Sequence, residues 1–302
     1  MIFKYICNDC PRECNALRTL QGGQGYCKCG TAPQVAKVMK HLWEEPCISG
    51  TNGAGNVFFA GCNLKCCYCQ NHKITTEYNY SNSDYNNYSS SDVAKLLLSL
   101  SSENVHNINL VTADCFLRTI SKAITPSVKE NINKPIILNC SGYNKTEQIE
   151  MLRDKIDIFL PDLKYLRSDI ALKYSNAPDY PEVAKKAIMK MFEITGPCVT
   201  DESGLLKKGV VIRHLILPGN LYNTFDVIDW VNETFAPGDI IFSLMSQYTP
   251  CNTECFKQFP ELSRKLTPYE KKKAEAYLLN TDITSAYIQE SESADTSFIP
   301  DF

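Results

Sequence analysis

Gly61-Cys62-Asn63-Leu64-Lys65-Cys66-Cys67-Tyr68-Cys69-Gln70-Asn71 is the stretch on which the reading of this 302-residue chain turns. Cys62, Cys66 and Cys69 are spaced C-x3-C-x2-C and follow directly on the apolar run 57–60. Three thiolates in one short loop suit a metal centre but leave a closed four-coordinate zinc site one ligand short. A cubane [4Fe–4S] cluster normally takes four cysteines, so three would leave one iron open to a small molecule. Two plainer readings compete: a chance triplet in a chain with 15 cysteines, and a zinc site completed by a distant ligand. Cys67 adds alternative ligand sets.

The bulk properties narrow the class. A chain of 34.0 kDa is long enough for one large α/β domain or two smaller ones with a substantial core. A net charge of −3 and a pI near 5.9 give no footprint for nucleic acid or an anionic membrane. The N-terminal residues lack the apolar length of a secretory signal, and no run of apolar residues is long enough for a membrane span. So many thiols in a reducing compartment point to metal ligation rather than disulfides. The expected location is the cytoplasm of a cell living at low oxygen.

Outward from the loop, residues 1–50 read as a cysteine-rich segment with its connector. Cys7, Cys10 and Cys14 bring three thiols into one turn stiffened by Pro11, and the Gly22–Gly25 turn returns Cys27 or Cys29 as a fourth. Four such thiolates suit structural zinc or an auxiliary iron–sulfur cluster equally well. Residues 35–42 read as a short helix ended by Pro46, and His41 and Trp43 as packing residues. On the far side, residues 75–92 are rich in Ser, Asn and Tyr and read as a solvated surface excursion. Ser91 or Asp92 is expected to cap the helix that follows.

Residues 51–281 then alternate. Strands are expected at 56–60, 107–112, 135–140, 156–160, 209–217 and 239–244, with helices near 93–100, 115–124, 146–153, 181–194, 224–234 and 268–279. Buried strands alternating with helices indicate parallel βα units, which allow a barrel or a doubly wound sheet. Ligands in such folds bind at the carboxyl ends of the strands. The polar residues collect there: Asp114, Asn139 and Ser141, Asp162 and Lys164, Arg213 within the fifth strand, and Gln247. Residues 282–302 form an acidic tail whose terminal aromatics are expected to fray or to pack back onto the barrel.

The triplet, with aromatic Tyr68 just before its third cysteine, resembles the radical S-adenosylmethionine (radical SAM) superfamily. Within it the chain is most similar to uncharacterised relatives of the pyruvate formate-lyase activating enzyme, and the resemblance extends over nearly its whole length. It implies an α/β fold, an open partial (β/α)6 barrel, which the count of six strands matches. It also implies a [4Fe–4S] cluster on Cys62, Cys66 and Cys69 whose open iron chelates S-adenosylmethionine. One electron from a flavodoxin or ferredoxin then yields a 5'-deoxyadenosyl radical that takes hydrogen from a substrate. No protein side chain is assigned a catalytic role in that step.

The cofactor's own chemistry assigns the remaining residues. Its carboxylate calls for a cation, Arg213 or Lys164, and its hydroxyls and sulfonium call for acceptors such as Asp162, Asn139 or Ser141. The resemblance carries Asp162, Lys164 and Arg213 over as cofactor contacts, with Tyr68 and Gln247 beside them. Where the family often has Gly-Gly-Glu, this chain has Thr112-Ala113-Asp114, so Asp114 would meet the cofactor's amino group with a shorter side chain. His214 alternates with Arg213 and reads as a packing residue. Cys251 and Cys255 read as free loop thiols, and of the remaining cysteines only Cys140 is expected to face the site. The substrate expected by analogy is a protein or peptide residue, such as the glycine of a glycyl-radical enzyme. A small metabolite, or a non-catalytic zinc- or iron–sulfur-binding scaffold, are the alternatives.

Overall fold

The computed structural model describes residues 4–82, 84–251 and 253–289. Its frame is a run of short strands whose apolar residues face two ways. In chain order β5 (Ala54–Phe59), β6 (Asn107–Val111), β7 (Ile136–Cys140), β8 (Ile158–Pro161), β10 (Leu206–Leu215) and β11 (Ile241–Met245) lie side by side, every neighbouring pair parallel. These are the six strands expected, and the sheet they form is an open α/β barrel wall.

Side chains alternate across a strand, and the alternation sorts the core into two parts. Leu138, Phe159, Val210, Ile212 and Phe242 point out to the large apolar cluster shared with the helices. Ile137, Ile158, Leu160, Val211 and Ile241 point in, where they pack with Cys47, Ile48, Ala54 and Leu206. Asn56, Asn109, Asn139, Arg213 and Ser243 have the same parity as this inner set. The inner face therefore turns from apolar to polar along the strands.

The helices that cross between strands follow familiar local rules. α1 (Pro46–Ser49) precedes β5, and α2 (Ser90–Ser102) links it to β6. The α2 cap is Ser89 rather than Ser91 or Asp92, with Asp92 closing a capping box by accepting from the Ser89 N–H. α3 (Leu117–Ala123) and α4 (Pro126–Glu130) precede β7, and α5 (Thr146–Glu150) precedes β8. α5 is shorter than its pattern suggested, and its N-cap is Lys145. α6 (Ser168–Ser175), not expected from the pattern, and α7 (Tyr180–Thr195) lead to the short hairpin strand β9 (Val199–Thr200) and β10. α8 (Leu221–Thr234) joins β10 to β11, and α9 (Thr253–Gln258) and α10 (Pro268–Leu279) follow.

Both edges of the sheet carry strands not foreseen. Residues Val35–His41 form β4, not a helix, and run antiparallel to β5 from Val35↔Phe59 to His41↔Ala54. The pattern misled because Lys37 and Lys40 sit three apart, as on a helix, whereas the deciding partner lies some twenty residues on. At the other edge β12 (Ala286–Ile288) adds parallel to β11, so the start of the expected tail is part of the sheet. Residues 290–302, with the terminal aromatics, lie outside the described residues.

The N-terminal segment makes its own three-stranded antiparallel sheet from β1 (Lys4–Cys7), β2 (Ala16–Thr19) and β3 (Gly22–Gly23). Arg12 ties it to the barrel by donating to four carbonyl oxygens: Asn63 (2.9 Å), Leu64 (3.3 Å), Ser175 (2.9 Å) and Asn176 (2.5 Å). The stretch 75–92 is solvated only in part: Asn79, Ser81, Asp84, Asn86 and Asn87 are exposed, whereas its first tyrosines are not. Tyr78 and Tyr80 are buried edge to face against each other, and the Tyr78 hydroxyl bonds to Gln34.

His214 is buried between β10 and α8, as its alternation with Arg213 suggested. Its Nδ1–H donates to the Leu163 carbonyl at 2.7 Å, which leaves Nε2 to accept from Thr224 at 3.0 Å. Burial pushes its pKa down to about 4, against an ordinary 6.5. Between those values the unfolded chain binds a proton that the folded chain does not, so stability falls as pH falls through this window. The stability gap between wild type and His214→Gln in urea unfolding should shrink by about 2 kcal/mol from pH 7 to pH 5. An unchanged gap would show that this imidazole is not held neutral.

Candidate cofactor site at the strand ends

The loop after β5 turns where only glycine fits. Gly61 has φ +93°, and a Cβ there would stand 2.2 Å from the Cys29 sulfur. From that turn Cys62, Cys66 and Cys69 enter the wall of a cavity of ≈ 500 Å³. Each of the three sulfurs receives hydrogen bonds: Cys62 from the N–H of Leu64 (3.3 Å), Cys66 from Ser175 Oγ (3.0 Å) and Cys69 from Thr75 Oγ1 (3.3 Å). Such donors favour the thiolate over the thiol. Burial nevertheless pushes Cys62 up to about 12 and moves Cys69 upward, a cost that a metal cation beside these two would offset.

Cys67 turns away from this wall. Its sulfur lies 2.7 Å from that of Cys255 on α9. Cys251 points its thiol at the carbonyl oxygens of Tyr68 and Cys69, both at 3.5 Å. The two C-terminal cysteines thus pack against the back of the loop rather than standing apart from it. Tyr68 is buried, its hydroxyl 2.7 Å from that of Tyr165 and its ring edge to face with Tyr174 and Tyr248.

The rest of the cavity comes from the other strand ends. Asp114, Asn139, Ser141, Asp162, Lys164, Arg213 and Gln247 all line it together with Tyr68 and Cys140. Asp162 lies 2.6 Å from Lys164 Nζ and 3.0 Å from Arg213 Nε. Burial alone would raise the Asp162 pKa, but the two cations outweigh it and hold the carboxyl below its usual range. Arg213 also donates to Asn139 Oδ1 at 2.5 Å and lies 3.4 Å from Glu44. The Tyr180 hydroxyl sits beneath, accepting from the Lys164 N–H (3.0 Å) and donating toward the carbonyls of Asp162 (2.6 Å) and Ser141 (2.9 Å).

Asp114 is the most telling member. It is buried, and one carboxylate oxygen accepts from the Ser141 N–H (3.2 Å), the Ser141 hydroxyl (2.9 Å) and Asn144 Nδ2 (3.1 Å). The other oxygen has no hydrogen-bond partner among the described residues. A buried acceptor left open is costly, and this one belongs to a residue of the cavity wall. Beside it Thr112 holds φ +60°, an uncommon conformation for a β-branched residue.

Three sulfurs with donors aimed at them, a cation pair and a carboxylate in one cavity wall fit a three-cysteine [4Fe–4S] cluster with an amino-acid-bearing ligand on its open iron.

The sequence left open whether the connector 31–56 lines the barrel mouth or is a plain linker; in the structure it lines the mouth, with wall residues that no local pattern singled out. Glu44 comes from the connector and takes Asn56 and Asn109 amides at 3.0 Å each, besides Arg213. His41 and Trp43 line the cavity, Trp43 largely exposed, instead of packing in the core. Gln289, from just beyond β12, donates to Gln247 at 2.7 Å.

In the N-terminal segment Cys7, Cys10, Cys14 and Cys27 line one small cavity of ≈ 10 Å³. Cys27 also belongs to a second set: its sulfur and those of Cys29 and Cys115 all lie within 4.8 Å of one another. Cys115, which had no partner by sequence, comes from the turn after β6.

An uncharacterised protein of Methanocaldococcus jannaschii is 26% identical over 277 residues, 90% of this chain and 74% of that protein. Among solved structures, SuiB of Streptococcus suis has a TM-score of 0.47 at 12% identity, with 76% of this chain covered. This chain spans about half of SuiB, 47% of its length. Methylornithine synthase has a TM-score of 0.41 at 12% identity, covering 76% of this chain and 70% of its own. The family model of the radical SAM superfamily matches residues 56–226, more than half of the chain and the whole stretch from the cysteine loop to beyond Arg213. The chain belongs to the radical SAM superfamily.

Proposed function

We propose that the chain is an oxidoreductase in which Cys62, Cys66 and Cys69 hold a [4Fe–4S] cluster and the cavity beside them holds S-adenosylmethionine. The observation that carries this is one cavity wall that gathers the three sulfurs, the Lys164/Arg213 cations and the Asp114 carboxylate. When bound, cluster and cofactor supply one-electron cleavage and the power to take a hydrogen atom from a substrate. Everything else falls to the chain itself. Asp114 accepts from the cofactor's ammonium, a charge-assisted bond. Lys164 and Arg213, already oriented by Asp162, offer their remaining N–H groups to its carboxylate. Tyr180 fixes the backbone beneath them, and Asn139, Ser141 and Gln247 orient the polar groups of the nucleoside. The apolar inner cluster below closes the barrel and keeps water out from that side.

For the substrate we propose a protein or peptide residue, in the manner of the pyruvate formate-lyase activating enzyme to which the loop is similar. The exposed Leu42 and Trp43, the latter in the cavity wall, support that reading by offering apolar surface to a bulky partner. A flavodoxin or ferredoxin supplies the electron, and the oxygen sensitivity of a three-cysteine cluster suits an anaerobic cytoplasm. No helix among the described residues is long and apolar enough to cross a membrane.

Two predictions test the site. In Asp114→Asn the amide oxygen can keep its bonds to Ser141 and Asn144, while the negative charge that would receive the cofactor's ammonium is lost. Loss of one charged hydrogen bond, about 1.5–3 kcal/mol, should weaken S-adenosylmethionine binding roughly 10- to 100-fold. Equilibrium dialysis against the reconstituted protein measures it, and unchanged affinity would remove Asp114 from the cofactor site. Separately, alanine at Cys62, Cys66 or Cys69 should abolish dithionite-driven 5'-deoxyadenosine formation, whereas Cys67→Ala should retain it. If the wild-type protein takes up zinc and forms none, the enzyme reading fails.

A further inference from the structure

Behind the cluster loop lies a second thiol group with different geometry. Cys27 and Cys29 come from the N-terminal segment, and Cys115 from the turn that follows β6. All three are buried, and their sulfurs lie within 4.8 Å of one another. Among the described residues this is the one trio of cysteine, histidine or acidic side chains whose ligand atoms approach so closely. Cys62, Cys66 and Cys69 are spread more widely. Tetrahedral zinc with sulfur at about 2.3 Å places its ligands about 3.8 Å apart. The trio has the dimensions of one ion, not of a cubane whose four irons hold their ligands apart.

Arg18 supplies the second observation. It is 4% exposed and enters no ion pair with a carboxylate among the described residues. Its guanidinium donates instead to the Cys27 sulfur at 3.2 Å and to the Cys115 carbonyl at 2.8 Å, with the Phe116 ring 6.0 Å away. A buried guanidinium stays protonated and needs negative charge close by. Three thiolates and one divalent cation leave a single negative charge, which Arg18 neutralises.

We propose that Cys27, Cys29 and Cys115 bind a single divalent metal ion of the zinc class, separate from the iron–sulfur site, that bolts the N-terminal segment to the barrel. The ion is structural. The Cys29 sulfur rests against Gly61, where any side chain would collide with it, so the site braces the turn that delivers Cys62. The proposal does not depend on the cofactor reading, because the ion is bound whether or not S-adenosylmethionine is ever cleaved.

Elemental analysis of the anaerobically purified full chain tests it. The expected result is one equivalent of zinc beyond the cluster iron, lost in Cys115→Ser with that iron retained, and kept in Cys7→Ser and Cys14→Ser. Zinc that survives in Cys115→Ser but leaves with Cys7 or Cys14 would overturn the assignment, as would the absence of any divalent ion. If Cys115→Ser fails to fold, the wild-type chain decides. After chelation, cobalt(II) should restore one equivalent of thiolate-to-cobalt absorption and protect Cys27, Cys29 and Cys115 together from alkylation, read by peptide mass spectrometry. Protection of Cys7, Cys10 and Cys14 in their place would overturn the proposal.

Discussion

Arg213 is the cation around which the barrel interior is organised. It stands on β10 with Asp162 of the β8 end, Asn139 of β7 and Glu44 of the connector on its guanidinium, and Glu44 carries the network on to Asn56 and Asn109. A charge in such surroundings is tolerable only when its donors are used. Here they reach β7 and β8 directly and, through Glu44, β5 and β6. The same bonds that repay its desolvation fix the relative heights of the strand ends. The cavity is therefore shaped by charge compensation at its base, and apolar packing below it supplies the rigid floor.

The N-terminal segment answers a different constraint. Too small to bury a core of its own, it borrows order from the barrel through two arginines. Arg12 takes two carbonyls of the cluster loop and two at the C-terminal end of α6, where a cation also meets the favourable end of the helix dipole. Its guanidinium lies over the Tyr26 ring, 4.0 Å from the centroid. Arg18 does the same among the thiols. The loop carrying Cys62 is thus held from outside by the segment and from inside by the strand.

How much of this could be read from residues alone depends on how local the cause was. The six parallel strands were legible because each is a short apolar run with polar residues at its carboxyl end, and that polarity also marked Asp114, Asn139, Asp162 and Arg213 as wall residues. β4 was misread because its partner, not its own pattern, makes it a strand. Glu44 and Gln289 carry no local signal; they matter because the connector and the strand beyond α10 return to the mouth. Ser175 and Tyr180, which hold Cys66 and the Lys164 backbone, look like ordinary helix residues until packing brings them beneath the loop. Cys115 met its partners only across 86 and 88 residues of intervening chain.

That last separation bears on the order in which the molecule is made. β1, β2 and their cysteines precede their barrel partners in the chain, yet Arg18 finds its carbonyl only on residue 115, and Arg12 two of its four on residues 175 and 176. Until the turn after β6 has emerged Arg18 lacks that carbonyl, and until α6 has emerged Arg12 lacks two of its four. Long-range closure of this kind slows folding and prolongs the exposure of reactive groups. A nascent chain of this protein spends that interval with the thiols of its N-terminal segment unprotected.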